Sequence, residues 1–389
     1  MERVSHPKAV TPCIVRNFHG GGGKVELETK GNDMEQGKKT PLVYRSRQPD
    51  NLEGPPEVFD ATTTPVEAFF IRSHFDVPKL NGETWSLELE GAVDDGLELG
   101  LDELQDFSTV TVRATIECAG NSRTRLGDRA QGVPWKERAI GTADWRGIAL
   151  AEILDEVGVD ADVKELIFVG ADRGVVETAD GGRIKMPYAR SLPREKAMSD
   201  EVLIATHMNG EPLTPGHGYP ARLVVPGWYG MASVKWLSRI IATTERFDGY
   251  FQSEDYAVWD RVHDLVVRRP LGPMAVKSHI GSPVEGQEIR AGDEVMIRGF
   301  AWGGTAAIEA VEVSVDGGDS YDQAALADTT HPFAWRSWEY VWEVAGEPGP
   351  CLLQSRARTA DGASQPERHN WRRGAYAVNA VHPVEVMVV

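Results

Sequence analysis

The run Val110-Thr-Val-Arg-Ala-Thr-Ile116 alternates apolar and polar residues as a half-buried strand does, and then it stops. What stops it is Glu117-Cys118-Ala119-Gly120-Asn121-Ser122-Arg123, a cysteine at the strand's end followed by glycine and asparagine, which favour turns. A chain that carries this segment must form a sheet whose edge hands one thiol to a loop. Arg123 adds a permanent cation nearby. Fixed positive charge beside a thiol favours the thiolate, the form that binds metals or attacks electrophiles. A lone free cysteine is more often a small buried hydrophobe, and here the surrounding segment decides against that reading.

The chain has 389 residues, beyond the ~250–300 at which one hydrophobic core stops growing, so two domains are expected. Apolar runs such as Leu223-Val-Val-Pro226 fall far short of the ~20 residues a membrane helix needs. No basic-then-apolar secretory start and no twin arginine is seen, so a cytoplasmic location is expected. Cys13, Cys118 and Cys351 form no close pair, which points away from a disulfide framework, a Cys-x-x-Cys metal site or a haem attachment. A net charge of −18 argues against nucleic acid, whose phosphates need Lys and Arg. The same charge would repel a small anion unless the pocket itself gathers positive charge.

Residues 1–60 read as an irregular arm, with consecutive glycines from Gly20 to Gly23 and Pro55-Pro56 interrupting regular structure. Trp85-Ser-Leu-Glu-Leu-Glu90 alternates like a strand, Ile148 to Val157 has helical spacing and stops at Gly158, and Lys164 to Val169 reads as a buried strand. This mixture predicts an α+β domain over 61–250. Beyond Gly272 the pattern changes. Val295 to Phe300, Ile308 to Val315 and Leu352 to Ala357 alternate at intervals, and Asp316-Gly317-Gly318-Asp319 is a hairpin signal. Regular strands without helices predict an all-β, immunoglobulin-like sandwich over 272–389.

The Cys118 segment resembles the molybdenum-ligand loop of the sulfite oxidase family, where a Cys-Ala-Gly-Asn-x-Arg run gives the one protein thiolate to a molybdopterin cofactor. Other blocks extend the resemblance in order: Phe69 to Pro78, with Arg72-Ser73-His74; Gly132-Val133-Pro134-Trp135; Ala139 to Gly147; Tyr188 to Pro193; Met208 to Leu213; and His217 to Leu237. The family implies a molybdopterin-binding catalytic domain followed by a dimerisation domain, hence a homodimer carrying Mo-molybdopterin.

By this resemblance Cys118 is the metal ligand, a soft donor suited to a metal already held by dithiolene sulfurs. Arg72, Arg123 and Arg373 match the anion-pocket arginines, with Arg372 an alternative to Arg373, and Trp135 matches an aromatic wall. Guanidinium groups suit this work because they grip oxyanions with paired donors and keep their charge. Arg72, Ser73, His74, His217, Arg222, Ser233, Val234 and Lys235 fit cofactor-binding positions. Asp172 would accept from pterin ring nitrogens, and Tyr188 and Ser191 would stand behind them. Two departures are visible. Ser73 replaces an asparagine, and Thr206, beside His207, stands before Met208-Asn209-Gly210 where a tyrosine close to the metal is expected.

These residues imply an oxidoreductase moving an oxygen atom to or from a small oxyanion, in the first place sulfite to sulfate, with an external electron acceptor. The alternatives are a reductase of nitrate or an S-oxide on the same cofactor, or a cofactor-free binding protein that retains the fold.

Overall fold

The computed structural model describes residues 41–178 and 180–389. Residues 1–40 of the expected arm lie outside the described residues. Residues 41–60 are regular rather than irregular: Val43–Ser46 and Asn51–Glu53 form an antiparallel hairpin, and Pro56–Phe59 is a 3-10 turn. Pro56 opens that turn, where a missing N–H costs nothing. Asn51 and Glu53 are buried, so this part of the chain is packed onto the body.

Two sheets form the first part of the molecule. In one, Thr109–Glu117 pairs antiparallel with Ile140–Ala149, which pairs with Leu203–Met208; Arg222–Val224 and Glu211–Pro212 both add to that third strand. In the other, Leu97–Gly100, Ser86–Gly91, Leu237–Thr243, Glu165–Glu177 and Arg183–Pro193 lie side by side. The expected strands at Val110, Trp85 and Lys164 are therefore present. Helix is scarcer than the α+β expectation. Leu150–Glu156 buries Leu150, Ile153 and Leu154 on one face and ends before Gly158 at φ +63°. Arg194–Ala197 is a single turn. Part of the helical spacing at Ile148 belongs instead to the end of the strand Ile140–Ala149, so the described residues are mostly β with few helices.

The C-terminal part has two further sheets. One orders Lys277–Ser282, Glu294–Trp302, Arg336–Glu343 and Ala325–Leu326, and the other orders Glu288–Ile289, Val384–Val388, Gly349–Thr359, Ile308–Ser314 and Asp322–Gln323. Ile297, Trp338 and Trp342 from the first meet Val311, Leu353 and Val386 from the second in one core, which makes a sandwich. Gly317 at φ +79° and Gly318 at φ +102° turn the chain between Ile308–Ser314 and Asp322–Gln323, as the hairpin signal required. Phe300, Trp302 and Trp335 leave this core and join that of the first part. The same contact positions the site.

Candidate functional site

The strand Thr109–Glu117 ends by handing Cys118 to a tight turn. Cys118 N donates to Ala139 O at 2.8 Å, Asn121 N to Cys118 O at 2.9 Å and Arg123 N to Gly120 O at 3.1 Å. Asn121 pins the turn from the side, accepting from Ala139 N at 3.1 Å. The left-handed residue of the turn is Ser122, at φ +66°. Gly120 does a different job. A Cβ on it would stand 2.3 Å from Arg123 Nη2, and one on Gly132 would stand 2.7 Å from Arg123 Nη1. Both glycines make room for the Arg123 guanidinium.

Cys118 opens onto a cleft whose wall includes Arg72, Ser73, His74, Asp172, His217, Arg222, Ser233 and Lys235. Eight residues from three separate stretches of the sequence thus converge around one thiol. Tyr188 lines the cleft as well, stacked on His74 with ring centroids 4.4 Å apart, its hydroxyl donating to Met231 O at 2.7 Å. The other sequence-identified residues stand outside this wall. Val234 is in the apolar core, and its N–H is spent on Ala232 O. Trp135 is fully buried behind the pocket residue Phe70, which it meets edge-on at 6.3 Å, and its Nε1 has no partner. Arg123 is buried next to the loop, donating to Val133 O at 2.8 Å and Ala375 O at 3.2 Å, with its guanidinium over the Tyr376 ring. Arg373 is half-buried in the 3-10 turn Trp371–Arg373 and close enough to favour ionisation of Tyr229, whereas Arg372 is exposed. Ser191 is committed to Glu165 Oε2 at 2.6 Å.

Thr206 and His207 line a separate cleft with Arg146, Tyr219 and Pro220, so their identity does not bear on the Cys118 pocket. A tyrosine is nevertheless present there. Tyr256 lines the pocket, its hydroxyl 2.7 Å from His74 Nε2 and its ring 5.0 Å from that of Tyr376. Sequence reasoning missed Tyr256, because a single tyrosine after the short turn Phe251–Asp255 carries no periodic signal.

The electrostatics are one-sided. Arg222 is only 5% exposed, yet its guanidinium donates only to carbonyls, of His217 at 3.1 Å, Ser233 at 3.0 Å and Leu223 at 3.4 Å. Burial pulls its pKa down to about 9. Lys235 donates to Gly216 O at 2.8 Å and Ser73 Oγ at 3.3 Å, and burial, with Arg222 and Arg72 adding repulsion, pulls it well below the usual lysine range. Arg72 donates to Asn51 Oδ1 at 3.3 Å and to Ser73 O. Among the described residues no carboxylate stands within ion-pair distance of these three cations. Asp172 is the one acid on the wall; burial pushes it up to about 6, against the pull of Lys235 and Arg72, and its Oδ1 is buried without a partner. His217 is drawn down to about 3 by burial and by Lys235 and Arg222, and its Nε2 lies 3.1 Å from Val66 O. Burial, then Arg72, Lys235 and Arg190, hold His74 well below the usual histidine value, so both imidazoles are neutral.

Burial also pushes the Cys118 thiol up, against Arg72 and Arg123, which pull it down. The expectation that Arg123 alone favours thiolate is thus reversed in the bare pocket, because desolvation outweighs the cations. A metal held there by Cys118 would favour the thiolate, since a coordinating thiol is deprotonated outright.

The donor set fits a phosphate-bearing pterin with a thiolate-bound metal. Buried cations without carboxylates are costly unless an anion joins them. An orphaned, buried carboxylate oxygen at Asp172 calls for an N–H donor.

Residues 74–251 match the oxidoreductase molybdopterin binding domain, and 268–389 match the Mo-co oxidoreductase dimerisation domain. Mitochondrial sulfite oxidase of Rattus norvegicus is 35% identical over 367 residues, 90% of this chain. The chain spans 66% of that relative's length. Sulfite oxidase of Arabidopsis thaliana is 34% identical over 73% of this chain and 75% of its own. The sulfane dehydrogenase SoxCD from Paracoccus pantotrophus superposes with a TM-score of 0.76 at 29% identity, covering 92% of each chain. The chain belongs to the sulfite oxidase family and carries its molybdopterin-binding domain.

Proposed function

We propose that the protein is a molybdenum-dependent oxidoreductase that transfers an oxygen atom to or from a small oxyanion, with sulfite to sulfate the favoured reaction. The observation that carries this reading is the concentration of Arg72, Arg222 and Lys235 against a single, proton-prone carboxylate beside Cys118, in a chain whose net charge is −18. That concentration meets the condition set by the overall charge, because a locally positive, low-dielectric cleft attracts an anion that the rest of the surface repels.

Cys118 would hold the metal and Asp172 the pterin N–H edge. Arg222, Lys235 and the neutral His217 would hold the phosphate, and Ser73 and His74 would flank it. When bound, the cofactor supplies the two-electron exchange at molybdenum. The chain's own residues do the rest. Arg72, on the wall, receives the oxyanion and orients it with charge-assisted hydrogen bonds, while Arg123 and Arg373, behind the wall, add positive charge. Tyr256, held by His74, presents a hydroxyl at the pocket wall that can donate to a substrate oxygen. Phe69, Phe70 and Trp236 restrict water there, which strengthens each of these contacts.

The two-sheet C-terminal unit reads as immunoglobulin-like and, by its match to a dimerisation domain, as the means of forming a homodimer. Domain limits of 61–250 and 272–389 follow the change in pattern at Gly272. Electrons would leave to an external acceptor. Among the described residues no helix is long and apolar enough to cross a membrane.

The test is sulfite-dependent reduction of ferricyanide by protein of measured molybdenum content. Turnover proportional to molybdenum is expected. Metal-loaded protein that ignores sulfite would overturn the sulfite assignment.

A further inference from the structure

One buried carboxylate lies directly behind the thiol. Glu117, 2% exposed, precedes Cys118 and accepts three hydrogen bonds: from Asn121 Nδ2 at 3.0 Å and Lys277 Nζ at 3.2 Å on Oε1, and from Trp302 Nε1 at 2.9 Å on Oε2. Lys277 Nζ also donates to Ser122 Oγ at 2.7 Å. Glu117, Asn121 and Ser122 bracket Cys118 on both sides. Lys277 and Trp302 come from the C-terminal sandwich, on the adjacent strands Lys277–Ser282 and Glu294–Trp302, whose register pairs these two residues directly. The same sandwich contributes Ala377 N, which donates to Ala119 O at 2.8 Å, and the Ala375 carbonyl that receives Arg123 Nε.

We propose that Lys277 and Trp302 are positioning residues, which fix the Cys118 loop through Glu117 and so make the C-terminal sandwich a structural part of the site. A buried ion pair is not a reliable source of stability, because desolvation offsets its attraction; its better-attested use is to select one arrangement over others. Here the arrangement selected is that of the Cys118 turn. An alternating strand alone would leave the residue after Glu117 free to fray, as strand ends do. Two donors from a separate sheet remove that freedom on one side, and the Ala139 and Ala377 hydrogen bonds remove it on the other.

The inference rests on Cys118 as the functional thiol, so the test reads the thiol in metal-free protein, where neither turnover nor cofactor enters. The rate of Cys118 alkylation by iodoacetamide is followed by peptide mass spectrometry, alongside the thermal midpoint. Lys277→Met should speed alkylation by about ten-fold and lower the midpoint, since loosened loops open more often. The double variant Glu117→Gln/Lys277→Met has no unpaired charge. Its midpoint should recover towards that of the parent while alkylation stays fast, which a purely stabilising pair would not produce. Trp302→Phe keeps the ring, removes only the N–H, and serves if the lysine variant does not fold; it should raise the alkylation rate several-fold, about half the lysine effect on a logarithmic scale. Parental alkylation rates in the double variant, or in Trp302→Phe, would overturn the proposal. Failure of the ligand assignment looks different: Cys118→Ser protein would keep its full molybdenum and turnover, while the alkylation results stood.

Discussion

Arg222 and Lys277 are buried to nearly the same degree, 5% and 6% exposed, on opposite sides of the Cys118 loop, and they have opposite surroundings. Lys277 has a carboxylate at 3.2 Å, a serine hydroxyl at 2.7 Å and the Trp302 ring at 5.6 Å. Arg222 has three carbonyls, the face of Trp145 at 5.0 Å and no acid among the described residues. A cation with its acid is finished, and its removal leaves a stranded charge. A cation held only by dipoles is still short of an anion, and burial has already drawn it down to about 9. The difference separates the side of the loop that holds shape from the side that takes ligands.

The largest expected effect falls on the residue between the two. Cys118→Ser should bring turnover to background while leaving both cations as they are, so the fold should persist; full activity in that variant would strip the contrast of functional meaning. Lys277→Met and Arg222→Met then sharpen it as a pair. In metal-free protein the lysine variant should lose roughly 3–5 kcal/mol of unfolding free energy, because Glu117 is left charged and buried. The arginine variant should lose about 1 kcal/mol, the worth of exchanging carbonyl hydrogen bonds. Its deficit should appear instead as cofactor retention, weakened by ~1.5–3 kcal/mol as a charge-assisted contact is lost. Denaturant titration and metal analysis read the two quantities separately, and equal stability losses would erase the distinction.

The ligand-taking side was largely legible in the sequence and the shape-holding side was not. Arg72, Ser73, His74, His217, Arg222, Ser233 and Lys235 sit in blocks with a recognisable order, and they reach one cleft together with Asp172, which lies outside those blocks. Glu117 and Lys277 carry no such signal, since a charge 160 residues away in sequence can be paired only once two sheets have packed. Tyr256 was missed for a related reason, its place being set by contacts with His74 and Tyr376 rather than by spacing. Thr206 shows the reverse case. A position next to a recognised block was read as near the metal, yet the strand Leu203–Met208 buries Leu203 to Ala205 and turns Thr206 and His207 to a different cleft. Helical spacing misled similarly at Ile148, where pairing with Thr109 and Ile204 kept two residues in the sheet.

Arg123 tests where the boundary between the two sides runs. It is buried like Arg222 and also donates only to carbonyls, but those carbonyls belong to Val133 and to Ala375 of the C-terminal part. If it serves the substrate, Arg123→Met should raise KM about 10- to 150-fold, the equivalent of ~1.5–3 kcal/mol, with a smaller change in kcat. An unchanged KM with a lowered melting point would move Arg123 to the shape-holding side.

The smallest effect concerns protons on the shape-holding side. His279 shares a strand with Lys277 and stacks on Phe59 at 4.2 Å. Burial draws it down to about 4; Glu137 opposes that fall, and Lys277, Arg125 and Arg138 add to it. Its folded value lies below the usual 6.5, so between these two pH values the unfolded chain takes up a proton that the folded chain refuses. Its contribution is therefore complete above pH 6.5, declines as pH falls towards 4 and levels off below. The decline is about 2 kcal/mol, discounted for the part of the ring that water reaches. Glu137, held down at about 2, loses its own contribution only at lower pH, below the usual carboxylate value, so the two windows separate. His279→Gln should flatten the stability profile between pH 6.5 and 4 by that amount and move the acid limb to higher pH, because His279 is the leading charge that holds Glu137 down. A profile parallel to the parent's would mean that His279 takes its proton without cost, and that the interface behind the loop is wetter than its burial implies.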